Sequence, residues 1–353
     1  MKSLYLLSWD DNIILLFARS INAKVPHISL DMSLKASNLS KLYDNNWILR
    51  NVSFEVERGE IFGLFGASGC GKTTILNILA GSEKSNGGEI HFDSSDISEK
   101  SKTDRNFAFA GQSQAPSWKQ FFGSGKSRPL GSGQAKAIKH AIETAQNVLL
   151  LDDVFSCMDH IQKLECINLL HTSATEKNLV VVFATCNFDD ILLFCDIAAV
   201  IADSEIRQIG TPREVYLEPV CYDVARIAGR NNLFEARRVT SSKVETPQFQ
   251  TIEGSHKLTI QKVEKRFLGA LNQNVSLGIR PEHISISFGA SFPEDNLIRA
   301  TITGVQFLGA TTLVELDADG LKLDVLVLRL VGLKSGDECM IGLPPDRIAI
   351  YKD

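Results

Sequence analysis

The stretch from Ile61 to Leu79, IFGLFGASGCGKTTILNIL, constrains this chain more than any other. An apolar run from Ile61 to Phe65 is followed by Gly66, Gly69 and Gly71, then by Lys72, Thr73 and an amphipathic segment. That order predicts a buried strand, a tight loop and a helix. The spacing G-x-x-x-x-G-K-[ST] is that of a phosphate-binding loop. A triphosphate needs backbone N–H groups that approach it closely, and bulky side chains at the glycine positions would prevent the approach. The N-terminus of the following helix adds partial positive charge. On this reading Gly66, Ala67, Ser68, Gly69, Cys70, Gly71 and Thr74 surround the phosphates. Lys72 reaches the outer phosphates as a point charge, and the Thr73 hydroxyl ligates Mg²⁺. The alternative is a glycine-rich turn that binds nothing, which the strand and helix context disfavours.

A chain of 353 residues is too long for one ordinary domain, so two are expected. Hydrophobic and charged shares of 44% and 22% are those of a soluble globular protein. A net charge of −5 lacks the basic surplus of a nucleic-acid binder, so no such partner is expected. Seven cysteines, odd in number and without a C-x-x-C pair, predict free thiols in a reducing cytoplasm. The first 31 residues differ from the rest. Asp10 and Asp11 break their apolar runs, and Ile13 to Ala18 is far short of the roughly 20 residues of a membrane helix. Only Lys2 supplies positive charge before the apolar residues, which makes a poor secretory signal. We expect residues 1–31 to be an atypical extension upstream of a functional start near Met32.

From Met32, MSLKASNLSKLYDNNWILRNVSFEVERGE alternates like paired strands leading into the phosphate loop. LSKLY, with VSFEVERGEIFGLFGASGCGKTTILNILAG after it, resembles the nucleotide-binding subunit of an ABC transporter. The resemblance runs from Met32 to the C-terminus. Its later part is similar to importer subunits with a C-terminal regulatory TOBE domain, as in maltose, polyamine, sulfate and ferric-iron systems. It implies ATP and Mg²⁺ as ligands and Tyr43 as the aromatic residue that stacks on adenine, with Trp47 a nearby competitor for that role. It also implies that Gln112 touches Mg²⁺ and the attacking water and senses the membrane partner, a role an amide suits; otherwise Gln112 is a surface glutamine.

VLLLDDVFSCMD, Val148 to Asp159, reads as a buried parallel strand with a carboxylate at its C-terminal edge, where α/β sheets place their ligands. In the resemblance Asp152 holds Mg²⁺ through water, and Asp159 links the two sites of a dimer. Asp153 stands where the family has the glutamate that polarises the attacking water. The shorter side chain retreats by about 1.5 Å, one C–C bond. The family's switch histidine is replaced by Cys186, and a thiol is a weak donor to phosphate. LGSGQ, Leu130 to Gln134, resembles the signature motif LSGGQ with two residues exchanged. Either Ser132 and Gly133 face the γ-phosphate held by a second chain, or the stretch is a plain Gly/Ser loop before a helix from Ala135 to Ala145. Between Gln112 and Leu130 only seventeen residues, SQAPSWKQFFGSGKSRP, stand where the family has a helical subdomain of roughly fifty. That loss removes most of the groove for a permease's coupling helix.

Leu179 to Phe183 and IAAVI, Ile197 to Ile201, are further core strands, and Thr211 with Pro212 begins a helix. From Asn231 the chain changes to short alternating strands, as in an antiparallel barrel. The segments LGIRPEHISI, TGVQFLGATTLVEL and GDECMIGLPPDRIAIY resemble the TOBE domain. The expected architecture is an α/β P-loop NTPase domain of the ABC type at 32–230, followed by a small all-β OB-like barrel at 231–353. The expected function is the ATP-binding subunit of an importer, hydrolysing ATP on the inner face of the cytoplasmic membrane. Its expected partners are a second ATP-binding subunit, as homodimer or heterodimer, and transmembrane permease subunits. The rival is a non-hydrolytic regulatory or scaffolding paralogue, favoured by Asp153, Cys186 and the short insert.

Overall fold

The computed structural model describes residues 33–111, 130–240, 246–261, 270–287, 294–328 and 332–351. The extension at 1–31, Gln112 and the connector at 113–129 lie outside the described residues.

The first half opens on an antiparallel hairpin of β1 (Ser33–Tyr43) and β2 (Asn46–Glu57). Asp44 and Asn45, at φ 45° and 64°, form the two-residue turn, and both are residue types that tolerate the left-handed region. β3 (Ile61–Gly66) is buried along its whole length. It leads through the glycine-rich loop into α1 (Lys72–Ala80). The chain continues through β4 (Gly87–Phe92), β5 (Ser95–Asp96), the single turn α2 (Lys102–Arg105) and β6 (Ala108–Gly111). Arg105 of α2 is buried and donates to the carbonyls of Ile78 (2.6 Å) and Leu79 (2.8 Å), so a cation satisfies the last acceptors of α1.

After the connector come α3 (Leu130–Thr144), β7 (Val148–Asp152), α4 (His160–Glu176), β8 (Val180–Thr185), α5 (Phe188–Phe194), β9 (Ile197–Ala202) and β10 (Glu205–Gly210). The central sheet has the order β10-β9-β3-β8-β7-β6, parallel except for β10. Because it is covered on both faces its strands read as continuous apolar runs. One face packs α1 and the sheet β2-β1-β4-β5 through Leu34, Leu49, Val52, Ile75 and Leu79. The other packs α3, α4 and α5 through Ile138, Leu170, Ile191 and Phe194. The expected core strands at Val148, Leu179 and Ile197 are present within a residue of their predicted starts.

α6 (Pro212–Leu217) carries the predicted start, with Thr211 and Glu214 in a reciprocal capping box. α7 (Tyr222–Ile227) follows. The second half is all-β: β11 (Asn232–Arg238), β12 (Gln248–Thr251), β13 (Lys257–Thr259), β14 (Asn274–Ile279), β15 (Ser285–Ser287), β16 (Asn296–Phe307), β17 (Thr312–Ala318), β18 (Leu321–Val327), β19 (Glu338–Leu343) and β20 (Ala349–Tyr351). These form two antiparallel sheets, β13-β12-β11-β14-β20 and β15-β19-β16-β17-β18, wrapped around one core that includes Phe249, Leu277, Leu316 and Ile341.

Candidate nucleotide site

Four strands end side by side to build the site. Gly111 of β6 pairs with Asp152 of β7, and Asp152 with Ala184 of β8. Phe65 of β3 lies beside Thr185, so Gly66 and Cys186 begin the two loops that leave this edge. A cavity of about 390 Å³ opens there, lined by Tyr43, Ile48, Ser68, Gly69, Gly71, Lys72, Thr73, Thr74, Asp152, Asp153 and Cys186. The phosphate loop, the carboxylate pair and the switch position, separate in sequence, therefore face one space.

The phosphate loop is held by its backbone. Gly71 has φ 102°, and a Cβ there would lie 2.6 Å from Leu49 Cδ2, so hairpin and loop close on each other without room for a side chain. At Gly66 a Cβ would lie 2.5 Å from the Ile201 carbonyl oxygen. Lys72 Nζ donates to the carbonyls of Gly66 and Ala67, both at 2.8 Å, and lies 3.7 Å from Cys70 Sγ. The ammonium is thus folded back onto its own loop, where an anion could recruit it. This is a cradle that added Cβ atoms would fill, with a cation at its centre, and it fits a polyphosphate.

Opposite the loop, the Thr73 hydroxyl bonds the Asp152 carboxylate. Burial pushes Asp152 up, against the lowering effects of Thr73 and Lys72. Burial pushes Asp153 up as well, helped by the charges of Asp152 and Asp190. Two carboxylates crowded at a strand end beside a hydroxyl form a donor set for a hard divalent cation, which would relieve their repulsion. Asp153 has φ 48°, uncommon for a side-chain-bearing residue, and its N–H donates to the Ala184 carbonyl at 2.8 Å. Cys186 is exposed on the cavity wall. Its segment is pinned by buried Asp190, which pairs with Lys163 of α4 and accepts from Thr185 Oγ1 at 3.3 Å. Asn187 caps α5 through its side chain.

Tyr43 stands at the mouth of the cavity, while Trp47, on the paired β2 strand, does not line it. The Tyr43 hydroxyl donates to Glu83 and bonds Thr74, which fixes the ring. Asp159 is exposed and caps α4 by accepting from the Gln162 N–H at 2.8 Å. One expectation needs correcting. α3 begins at Leu130, five residues before the predicted start at Ala135, so LGSGQ lies within the helix rather than ahead of it. Glycine and serine are tolerated there because the first four N–H groups of a helix have no intrahelical partner to lose. Sequence reading missed Ile48, Glu83, Lys163 and Asp190. The charged three act through other side chains and carry no motif.

The ABC transporter family matches residues 49–123, and the TOBE domain family matches residues 277–350. The two matches lie one in each half of the chain, the ABC transporter match first and the TOBE match second. The first match ends before LGSGQ, Asp152 and Cys186. The spermidine/putrescine import ATP-binding protein PotA of Mannheimia succiniciproducens is 29% identical over 240 residues, covering 58% of this chain and 64% of that protein. PotA of Methylococcus capsulatus is 27% identical, covering 79% of this chain and 81% of its own. The Fe(3+) ions import ATP-binding protein FbpC of Photorhabdus laumondii is 26% identical, covering 81% of this chain and 88% of its own. The chain thus spans just under two thirds of the first of these relatives and more of the others. A solved ATP-binding subunit of an ABC transporter aligns at 18% identity and a TM-score of 0.42, over 52% of this chain and 92% of that one.

Proposed function

We propose that this chain is the ATP-binding subunit of an ABC importer, coupling ATP binding and hydrolysis to solute uptake. The observation that carries the reading is the convergence of Lys72, Thr73 and Asp152 on one cavity with a glycine-lined cradle. The ABC and TOBE pairing and the importer subunits among the relatives support it. We take 32–230 as the ABC transporter domain and 231–353 as the TOBE domain.

In this reading Tyr43 offers its ring to adenine. The N–H groups of the loop from Gly66 to Thr74 hold the phosphate chain, and Lys72 swings from its carbonyl partners to the outer phosphates. Thr73 and Asp152 would hold Mg²⁺, with Gln112 joining them; the ion supplies charge neutralisation on the phosphate oxygens. Asp153 orients and deprotonates the attacking water, and Cys186 contributes a weak donor at the far end of the phosphates. A second ATP-binding chain, in a homodimer or heterodimer, presents Ser132 and Gly133 from the start of its α3. Permease subunits recruit the pair to the inner face of the cytoplasmic membrane. Among the described residues no helix is long and apolar enough to cross a membrane.

Phosphate release by the purified protein with Mg·ATP tests the reading, with Lys72→Ala as control. Turnover that disappears in the control is the expected result. Saturable Mg·ATP binding without turnover would replace the importer ATPase with a regulatory subunit, and no binding at all would end both.

A further inference from the structure

An aromatic chain runs from the phosphate loop, past the segment that carries Cys186, into the TOBE domain. Phe65 is the last apolar residue before Gly66, and its ring meets Phe188 edge-on at 5.1 Å and 62°. Phe188, buried and two residues past Cys186, stacks on Tyr216 of α6 at 6.1 Å and 18°. The Arg280 guanidinium lies 3.9 Å from the centre of the Tyr216 ring. Arg280 comes from the other half of the chain, directly after β14, and is only 5% exposed.

The junction is tightly specified. Arg280 donates to the Arg230 carbonyl at 2.7 Å and to the Tyr216 carbonyl, and the Tyr216 hydroxyl donates to Glu282 Oε1 at 2.6 Å. A Cβ at Gly229 would lie 2.6 Å from Tyr216 Cε2, so the linking loop closes on the ring's edge. Burial and the Glu282 carboxylate push Tyr216 up to about 12, and the hydroxyl stays a donor at any physiological pH. Close-packed, flat groups with few rotamers pass displacement along rather than absorbing it. A shift of Arg280 therefore reaches the first turn of α5, and through Asn187 the thiol before it.

We propose that Phe188, Tyr216 and Arg280 are positioning residues through which the TOBE domain sets the placement of Cys186 on the wall of the nucleotide cavity. The proposal rests on reading that cavity as a nucleotide site. If the stack were only apolar cement between the two halves, weakening it would lower stability without singling out the Cys186 segment.

Peptide-resolved alkylation by iodoacetamide separates these cases, with exposed Cys157 of the same domain as the internal reference. In Tyr216→Leu and Arg280→Met, the Cys186 rate relative to Cys157 should rise by about threefold or more, because a loosened segment offers its thiol more often. Tyr216→Phe keeps the ring and should stay close to wild type. An unchanged or slower Cys186 rate in folded Tyr216→Leu and Arg280→Met overturns the proposal. Should Arg280→Met fail to fold, Arg280→Lys, which keeps the charge but loses the flat fork, is read by the same criterion. Calorimetry with Mg·ATP on the wild type tests the underlying reading separately. Binding with no rate change defeats the relay alone, whereas no binding with a clear rate change defeats the nucleotide reading and leaves the coupling between the two halves standing.

Discussion

The two sides of the cavity are built by different means. The phosphate loop uses the backbone, with glycines admitted where a Cβ would collide and a lysine parked on its own loop's carbonyls. The facing edge uses side chains on the ends of separate strands, one carboxylate in the left-handed region and the Cys186 thiol. On the proposed reading, gripping is encoded within about a dozen consecutive residues, while cutting depends on register between β7 and β8 and on the identity of two side chains.

The sharpest way to break this contrast is to repair the cutting edge. Asp153→Glu with Cys186→His should raise phosphate release by about 10² or more, the scale of a restored base and a restored donor, and less than the product of the single variants. A double variant no faster than wild type in a steady-state phosphate assay would place the deficit elsewhere. On the gripping side, Lys72→Ala should weaken Mg·ATP by about 10²-fold in calorimetry, since it removes a charge-assisted contact. A smaller effect follows inside the loop. Gly71→Ala should cost about 2 kcal/mol in urea unfolding through strain at φ 102° and the collision with Leu49, whereas Gly69→Ala, with open space around it, should cost about half that.

The smallest test concerns charge. Burial and the neighbouring Asp152 and Asp190 hold Asp153 above the usual carboxylate range, so the folded chain keeps that proton more tightly than the unfolded one. Its ionised form then lowers stability above the folded value, and the penalty fades as pH falls toward the unfolded value near about 4. Asp153→Asn should raise the Tm of the nucleotide-free protein by about 1 °C near pH 7, with the gain vanishing near pH 4.

What was legible in the sequence follows the same division. The phosphate loop, Asp152 at a strand edge and the helix start at Thr211 are local patterns, and each stands where the residues put it. The start of α3 was not legible, because Gly131, Ser132 and Gly133 are loop formers by type although a first helical turn tolerates them. The positive φ of Asp153 leaves no trace in composition, since it comes with a tertiary bond to Ala184. The pins behind Cys186, Lys163 and Asp190, lie far apart in the chain and meet only once α4 and α5 have packed.

The level ending of β6, β7 and β8 bears on how such a chain can change. Gly111, Asp152 and Ala184 sit in one row across the sheet, and neighbouring residues on a strand point to opposite faces. One residue gained or lost inside any of the three would turn the Asp152 carboxylate away from Thr73 or carry it out of line. Length changes that leave this row intact are therefore those in the connections between strands.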